Sequence, residues 1–188
     1  GAFTVSDVVT ANGSGDVTLI ATGGLLSVNA VVSSGTGDLG LTGGTGVTHS
    51  AAGDLTTTLA GTIGVTATVG DVTMADGTVY GTGSGQVDVL AAGNVALGQI
   101  TTTSSVINVT ATGGAITDAK TGESTGNENP TGTVLTLTAG SGIGTSSALG
   151  DIDTAGTQLD LTTGTGGIFI AETDAVQLGN ATGGLNTT

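Results

Sequence analysis

The chain has no cysteine, so neither a disulfide nor a thiolate metal site can exist in it. It has no tryptophan, one tyrosine and two phenylalanines, which leaves little of the aromatic surface that sugar-binding clefts and sandwich cores use. Lys120 is its one basic residue against 15 acids, giving a formal charge of −14. Phosphate recognition needs clustered Lys and Arg, so this balance argues against nucleic acid and against an anionic membrane surface. Arginine is absent altogether, and with it the usual clamp for phosphate or carboxylate substrates. Proline occurs once beside 37 glycines, a ratio that fits neither collagen nor a polyproline linker. No apolar run approaches the roughly 20 residues of a membrane span, so no membrane insertion is expected.

What remains is aliphatic and small. Hydrophobic residues make up 37% of the 188 and the mean hydropathy is +0.37, too much apolar material for a disordered chain. Val, Leu, Ile, Ala, Thr and Gly dominate, a set that favours short strands and tight turns over helices. Residues 1–188 read as a single domain.

An internal repeat organises it. GDVTLI at 15–20 returns as GDLGLT at 37–42, GDLTTT at 53–58 and GDVTMA at 70–75, and then blurs into VDVLAA, INVTAT, LTLTAG, LDLTTG and VQLGNA. The second residues are Asp16, Asp38, Asp54, Asp71, Asp88, Asn108, Thr136, Asp160 and Gln177. They head nine units of about 20 residues, each with a second apolar position seven to nine residues later. Alternation puts Val17, Leu39, Leu55, Val72, Val89, Val109, Leu137, Leu161 and Leu178 on one side and the acids and threonines on the other. An aliphatic stack inside and a polar stack outside is what a parallel β-helix requires, since no coil can bury its apolar side alone. The expectation is an all-β solenoid of about nine irregular coils. A β-sandwich is the alternative, but it normally fills the space between its sheets with aromatics. DAKTGESTGNENPT at 118–131 holds the only Lys, the only Pro and two of the three Glu, and reads as an exposed insertion loop.

The acids invite a search for chemistry. Calcium-binding β-roll repeats place a residue between Gly and Asp; Gly15-Asp16 and Gly37-Asp38 do not. Stacked carboxylates about 4.8 Å apart repel by only about 0.9 kcal/mol in water, so Asp16, Asp38, Asp54, Asp71 and Asp88 are tolerable as a column with weak, diffuse cation association and no dedicated metal site. Asp151 with Asp153, and Glu172 with Asp174, alternate onto one strand face as a glycosidase pair could, but among small residues and without a sugar platform. His49 has no histidine partner for metal or proton relay and reads as a turn or surface residue. Thr-x-Thr steps such as Thr136-Leu137-Thr138 fall at differing phases of the repeat, which argues against a flat ice-ordering lattice. Asn12, Asn108, Asn180 and Asn186 each begin an N-x-S/T glycosylation sequon. No catalytic residue and no cofactor is expected.

GDVTLIATGGLLSVNA, INVTATGGAITDA and LTLTAGSGIGTSSALGDIDTAGTQLDLTTGTGGIFI resemble repeats of filamentous-haemagglutinin-like bacterial surface adhesins exported by two-partner secretion. The resemblance covers most of 15–185 and rests on a degenerate pattern of strand, Thr-Gly-Gly and Ile or Val. It implies a right-handed β-helical shaft that folds outside the cell and carries no catalytic residues; the family's secretion domain is not recognisable here. The chain begins GAFTV, without an initiating Met, and neither GAFTVSDVVTANGSG nor NATGGLNTT reads as a cap. The expectation is therefore a structural extracellular or cell-surface fibre whose partners are neighbouring repeats or further copies stacked end to end, with VSDVV at 5–9 as a donated strand, and host or matrix glycans. A carbohydrate-active β-helix enzyme or a glycan-binding module using the 118–131 loop stays open as the alternative.

Overall fold

The alternation seen in the sequence becomes a coil with three flat sides. The computed structural model describes residues 1–122, 128–147 and 149–185. Among them there is no helix, and every strand pairing is parallel. The strands stack as a right-handed parallel β-helix of about eight turns, close to the nine units counted along the chain.

The first face stacks Phe3–Val5, Leu25–Val28, Gly46–His49, Val72–Met74, Val95–Leu97 and Ile116–Asp118, and single bridges carry it on through Ile143 to Ile168. The second stacks Val9–Ala11, Val32–Ser34, Leu55–Thr56, Val79–Thr82 and Gln99–Thr102, then the leading residues of Pro130–Ala139 and Ile152–Ile168, and finally Ile170–Glu172. The third stacks Val17–Ala21, Leu39–Gly43, Ile63–Ala67, Val87–Ala91 and Val106–Ala111, the trailing parts of the same two long strands, and Gln177–Leu185.

On the third face the true register runs Val17, Leu39, Ile63, Val87, Ile107, Leu135, Leu159 and Leu178. Its steps are 22, 24, 24, 20, 28, 24 and 19 residues, on average about 23 and so longer than the unit of about 20 read from the sequence. The reason is that Gly-Asp followed by an apolar residue occurs at all three corners. Asp54-Leu55 opens a second-face strand and Asp71-Val72 a first-face strand, so those motifs belong to different sides of a coil rather than to successive coils.

Inside, Val, Leu, Ile and Ala fill a narrow core, with Leu26, Val47, Val72, Val95 and Ile116 forming one buried column. Where the second face turns into the third, coils approach so closely that only glycine fits. A Cβ on Gly61 would lie 2.5 Å from the carbonyl oxygen of Gly37 one coil away, and Gly85 sits on Gly61 in the same manner. Buried hydroxyls tie this corner. Ser34 donates to the Gly15 carbonyl at 2.6 Å, Thr57 to Gly61 at 2.6 Å and Thr82 to Gly85 at 2.6 Å.

Candidate functional site

The carboxylates were the candidates for chemistry, and the register decides what they can do. The five acids named above do not share one column. Asp16 and Asp38 stack at the corner before the third face, Asp54 precedes the second face, Asp71 precedes the first, and Asp88 lies in mid-strand on the third. Among the described residues no three His, Cys, Asp or Glu side chains come together to hold a metal ion.

Each corner acid is instead a hydrogen-bond acceptor for the coil stacked on it. Asp38 donates its backbone N–H to Asp16 Oδ1 at 2.8 Å, while its own carbonyl accepts the Val17 N–H at 2.9 Å. The pair of bonds replaces a ladder rung where the backbone bends. Asp38 Oδ1 accepts the Thr62 N–H at 2.8 Å and the Thr62 hydroxyl at 2.9 Å. Asp54 accepts the Val79 N–H at 2.8 Å, and Asp71 the Asn94 N–H at 2.6 Å. Asparagine serves equally: Asn94 Oδ1 accepts the Ala115 N–H at 3.0 Å, and Asn129 Oδ1 the Asp153 N–H at 3.2 Å. A bent backbone leaves an amide that must find a partner, and a side chain one methylene long reaches it. Asn94 and Asn129 went unnoticed in the sequence because the search there was for charge; the usable signal is an Asx residue just before an apolar strand.

Asp88 differs. It accepts from Gln86 Nε2 at 2.8 Å and from Asn108 Nδ2 at 2.8 Å, forming a polar strip on the outside of the third face. Asn108 is thereby engaged and half-buried; Asn12 sits exposed beside a turn at Gly13, Asn180 is exposed, and Asn186 lies outside the described residues.

His49 is not at the surface. Alternation from Val47 carries it inward, between Val28 and Met74, where it is 3% exposed. Its Nδ1 donates to the Gly53 carbonyl at 2.7 Å, and its ring meets Tyr80 edge-on with centroids 5.0 Å apart. Burial lowers its pKa to about 4, against the opposing pull of the Gly53 carbonyl. Neither His49 Nε2 nor the Tyr80 hydroxyl has a hydrogen-bond partner among the described residues.

The acidic pairs lie at the C-terminal coils. Glu172 stacks on the buried Thr154, accepting its hydroxyl at 2.6 Å and the Gly156 N–H at 3.3 Å. Burial pushes the Glu172 carboxyl up, against the lowering pull of the Thr154 hydroxyl and of the Gly156 and Asp174 N–H groups, with the Asp174 side chain adding to the rise. Asp153 faces away in the adjoining position, paired with Ala171. The flanks of the 118–131 segment are not the exposed loop expected. Asp118 ends a first-face strand, Lys120 and Glu128 are buried, Asn129 is wholly buried, and Pro130 and Thr131 enter the second face. The flanks complete the coil here; Glu123 to Asn127 lie outside the described residues.

No family model, no curated protein and no solved structure matches the chain.

Proposed function

We propose that this chain is a non-catalytic shaft of an extracellular or bacterial cell-surface fibre, built to extend along its axis by adding further coils. The observation that carries the reading is that every described strand stacks in parallel on the neighbouring coil, while the carboxylates at the corners are engaged in joining coils rather than converging on a substrate. The adhesin-like resemblance and the charge of −14 fit a surface role with matrix or host glycans as outer partners.

Electron microscopy of the purified chain tests this. Axial filaments are expected; discrete rods about 4 nm long, eight rungs of roughly 4.8 Å, at every concentration would remove self-assembly from the reading. A second reading, a carbohydrate-active β-helix, is favoured by one feature, the raised carboxyl of Glu172 beside Asp174. Release of reducing sugar from a neutral glycan, lost in Glu172→Gln and Asp151→Ala, would establish it.

A further inference from the structure

The three faces differ on the outside. In the early coils the first and second faces each turn out one column of small residues, Ser27, Thr48 and Thr73 on the first and Ser33, Thr56 and Gly81 on the second. The third face is wider and turns out two. One holds Thr42, Thr66, Thr110, Thr138, Thr162 and Thr182, irregularly spaced along the chain but stacked in register, with Ile20 and Leu90 in the same line. No charged side chain interrupts it. Ile20 is 58% and Leu90 44% exposed, and Leu59 and Val69 stand exposed on either side of the strand Ile63–Ala67. The second column passes from Gly40 and Gly64 to Asp88, Asn108, Thr136 and Asp160. Both its carboxylates already hold amide side chains, Asp88 those of Gln86 and Asn108 and Asp160 that of Gln158.

We propose that the third face is a lateral docking surface for a second copy of this chain, with the two shafts antiparallel. An isologous pair needs only one patch. Eight rungs of five-residue strand span roughly 16 by 38 Å. Two such faces bury on the order of 1,200 Å² together, the lower bound of a stable interface, and the narrower first and second faces fall short of it. Asp88 sets the polarity. Antiparallel shafts bring it level with the partner's Asn108, whose Nδ2 gives one N–H to the Asp88 of its own chain and carries a second for this one. The same alignment sets Leu90 against the partner's Thr110, Thr66 against the partner's Thr138 and Asp160 over the partner's Gly40, so methyls meet methyls and no two carboxylates meet. Parallel shafts would press Asp88 onto the partner's Leu90 and bury a charge against an apolar side chain. The charge of −14 on each copy opposes the approach, so association strengthens as salt screens it. The pairing goes beyond the shaft reading and needs no axial extension.

Sedimentation equilibrium of the purified chain at low and raised salt is the test. Twice the 17.6 kDa chain mass is expected at raised salt. Leu90→Asp, at an outward position and checked for folding by circular dichroism, should weaken association by more than about tenfold. Because the chain has no cysteine, Thr66→Cys and Thr138→Cys report the alignment. Mixed and oxidised, the two variants should cross-link with each other far more than either does with itself; within one chain the two positions lie three rungs apart, beyond disulfide reach. A wild type that stays monomeric at raised salt overturns the proposal. So does a dimer that Leu90→Asp leaves unchanged, or equal cross-linking of Thr66→Cys with itself. Axial filaments that persist in Leu90→Asp and never pair side by side in the wild type keep the shaft reading and overturn this one.

Discussion

Behind the second face, the inner column of the first five coils reads Val9, Val32, Leu55, Tyr80 and Ile100. Over the last three it reads Pro130, Thr154 and Glu172. The third face shows the same change. It runs in strict register from Val17 to Leu159, and then the final pairing slips between Leu159 and Asp160 and again between Thr162 and Gly167. The early coils are held by an apolar column, stacked glycines and Asx acceptors at each corner. The late coils keep the backbone ladder and aliphatic side chains elsewhere in their core, but behind the second face they set a hydroxyl against a carboxylate. A solenoid's stability is close to a sum over neighbouring coils, so the two regions should respond differently to the same kind of insult.

The largest difference should come from truncating apolar side chains. Leu55→Ala opens a cavity in a fully buried column and should cost about 2–5 kcal/mol in denaturant unfolding. Leu178→Ala, at a position 54% exposed on the last coil, should stay within about 0.5 kcal/mol. Equal losses would mean that the late coils are as tightly packed as the early ones.

Acid should separate the regions by sign. His49 has its folded pKa lowered to about 4 from 6.5, so the unfolded chain binds the proton first. Its neutral burial costs nothing above pH 6.5, costs progressively more as pH falls, and reaches its full cost, about 3 kcal/mol, below pH 4. Glu172 has its folded pKa raised, so the folded last coil gains protons first and is relatively favoured as pH falls. Melting His49→Leu and Glu172→Gln beside the wild type at pH 7.5 and pH 4 checks both. His49→Leu should lose much of its less acid-resistant parent's melting-temperature drop, and Glu172→Gln should narrow its advantage over the wild type at the lower pH.

The class of fold was readable because Val, Leu and Ile alternate with Asp and Thr in every unit, and because aromatics are too few for a sandwich. The phase was not. Asp16, Asp54 and Asp71 carry the same local motif at three different corners, and only the hydrogen-bonded register tells the corners apart. His49 was misplaced by weighing its polarity over its position, although Val47-Thr48-His49 alternates inward by the rule that placed its neighbours. Asn129 was hidden because Gly, Pro and charge around it read as loop, while its buried Nδ2 also supplies donors to the Leu97 and Gly98 carbonyls. The corner role of the acids was legible in kind, beside an apolar strand start, but their partners lie 22 to 25 residues away in sequence.

A smaller effect tests that corner role. Asp38→Ala removes the acceptor for the Thr62 amide and hydroxyl and should cost about 1 kcal/mol. Asp38→Asn keeps a carbonyl oxygen in place and should recover most of it. Asp160→Asn, whose carboxylate is met by the Gln158 side chain and, among the described residues, by no backbone amide, should fall within about 0.5 kcal/mol of the wild type.

Residue-resolved hydrogen exchange measures the corner bonds themselves. The amides of Asp38, Thr62, Val79 and Asn94 sit at bends, where a turn open to water would exchange within the fast phase. Held by Asp16, Asp38, Asp54 and Asp71, they should exchange as slowly as the strand amides of Leu39 and Val72 beside them. Fast exchange at those four positions, with the neighbouring strands still protected, would contradict the coil-to-coil role of the acids.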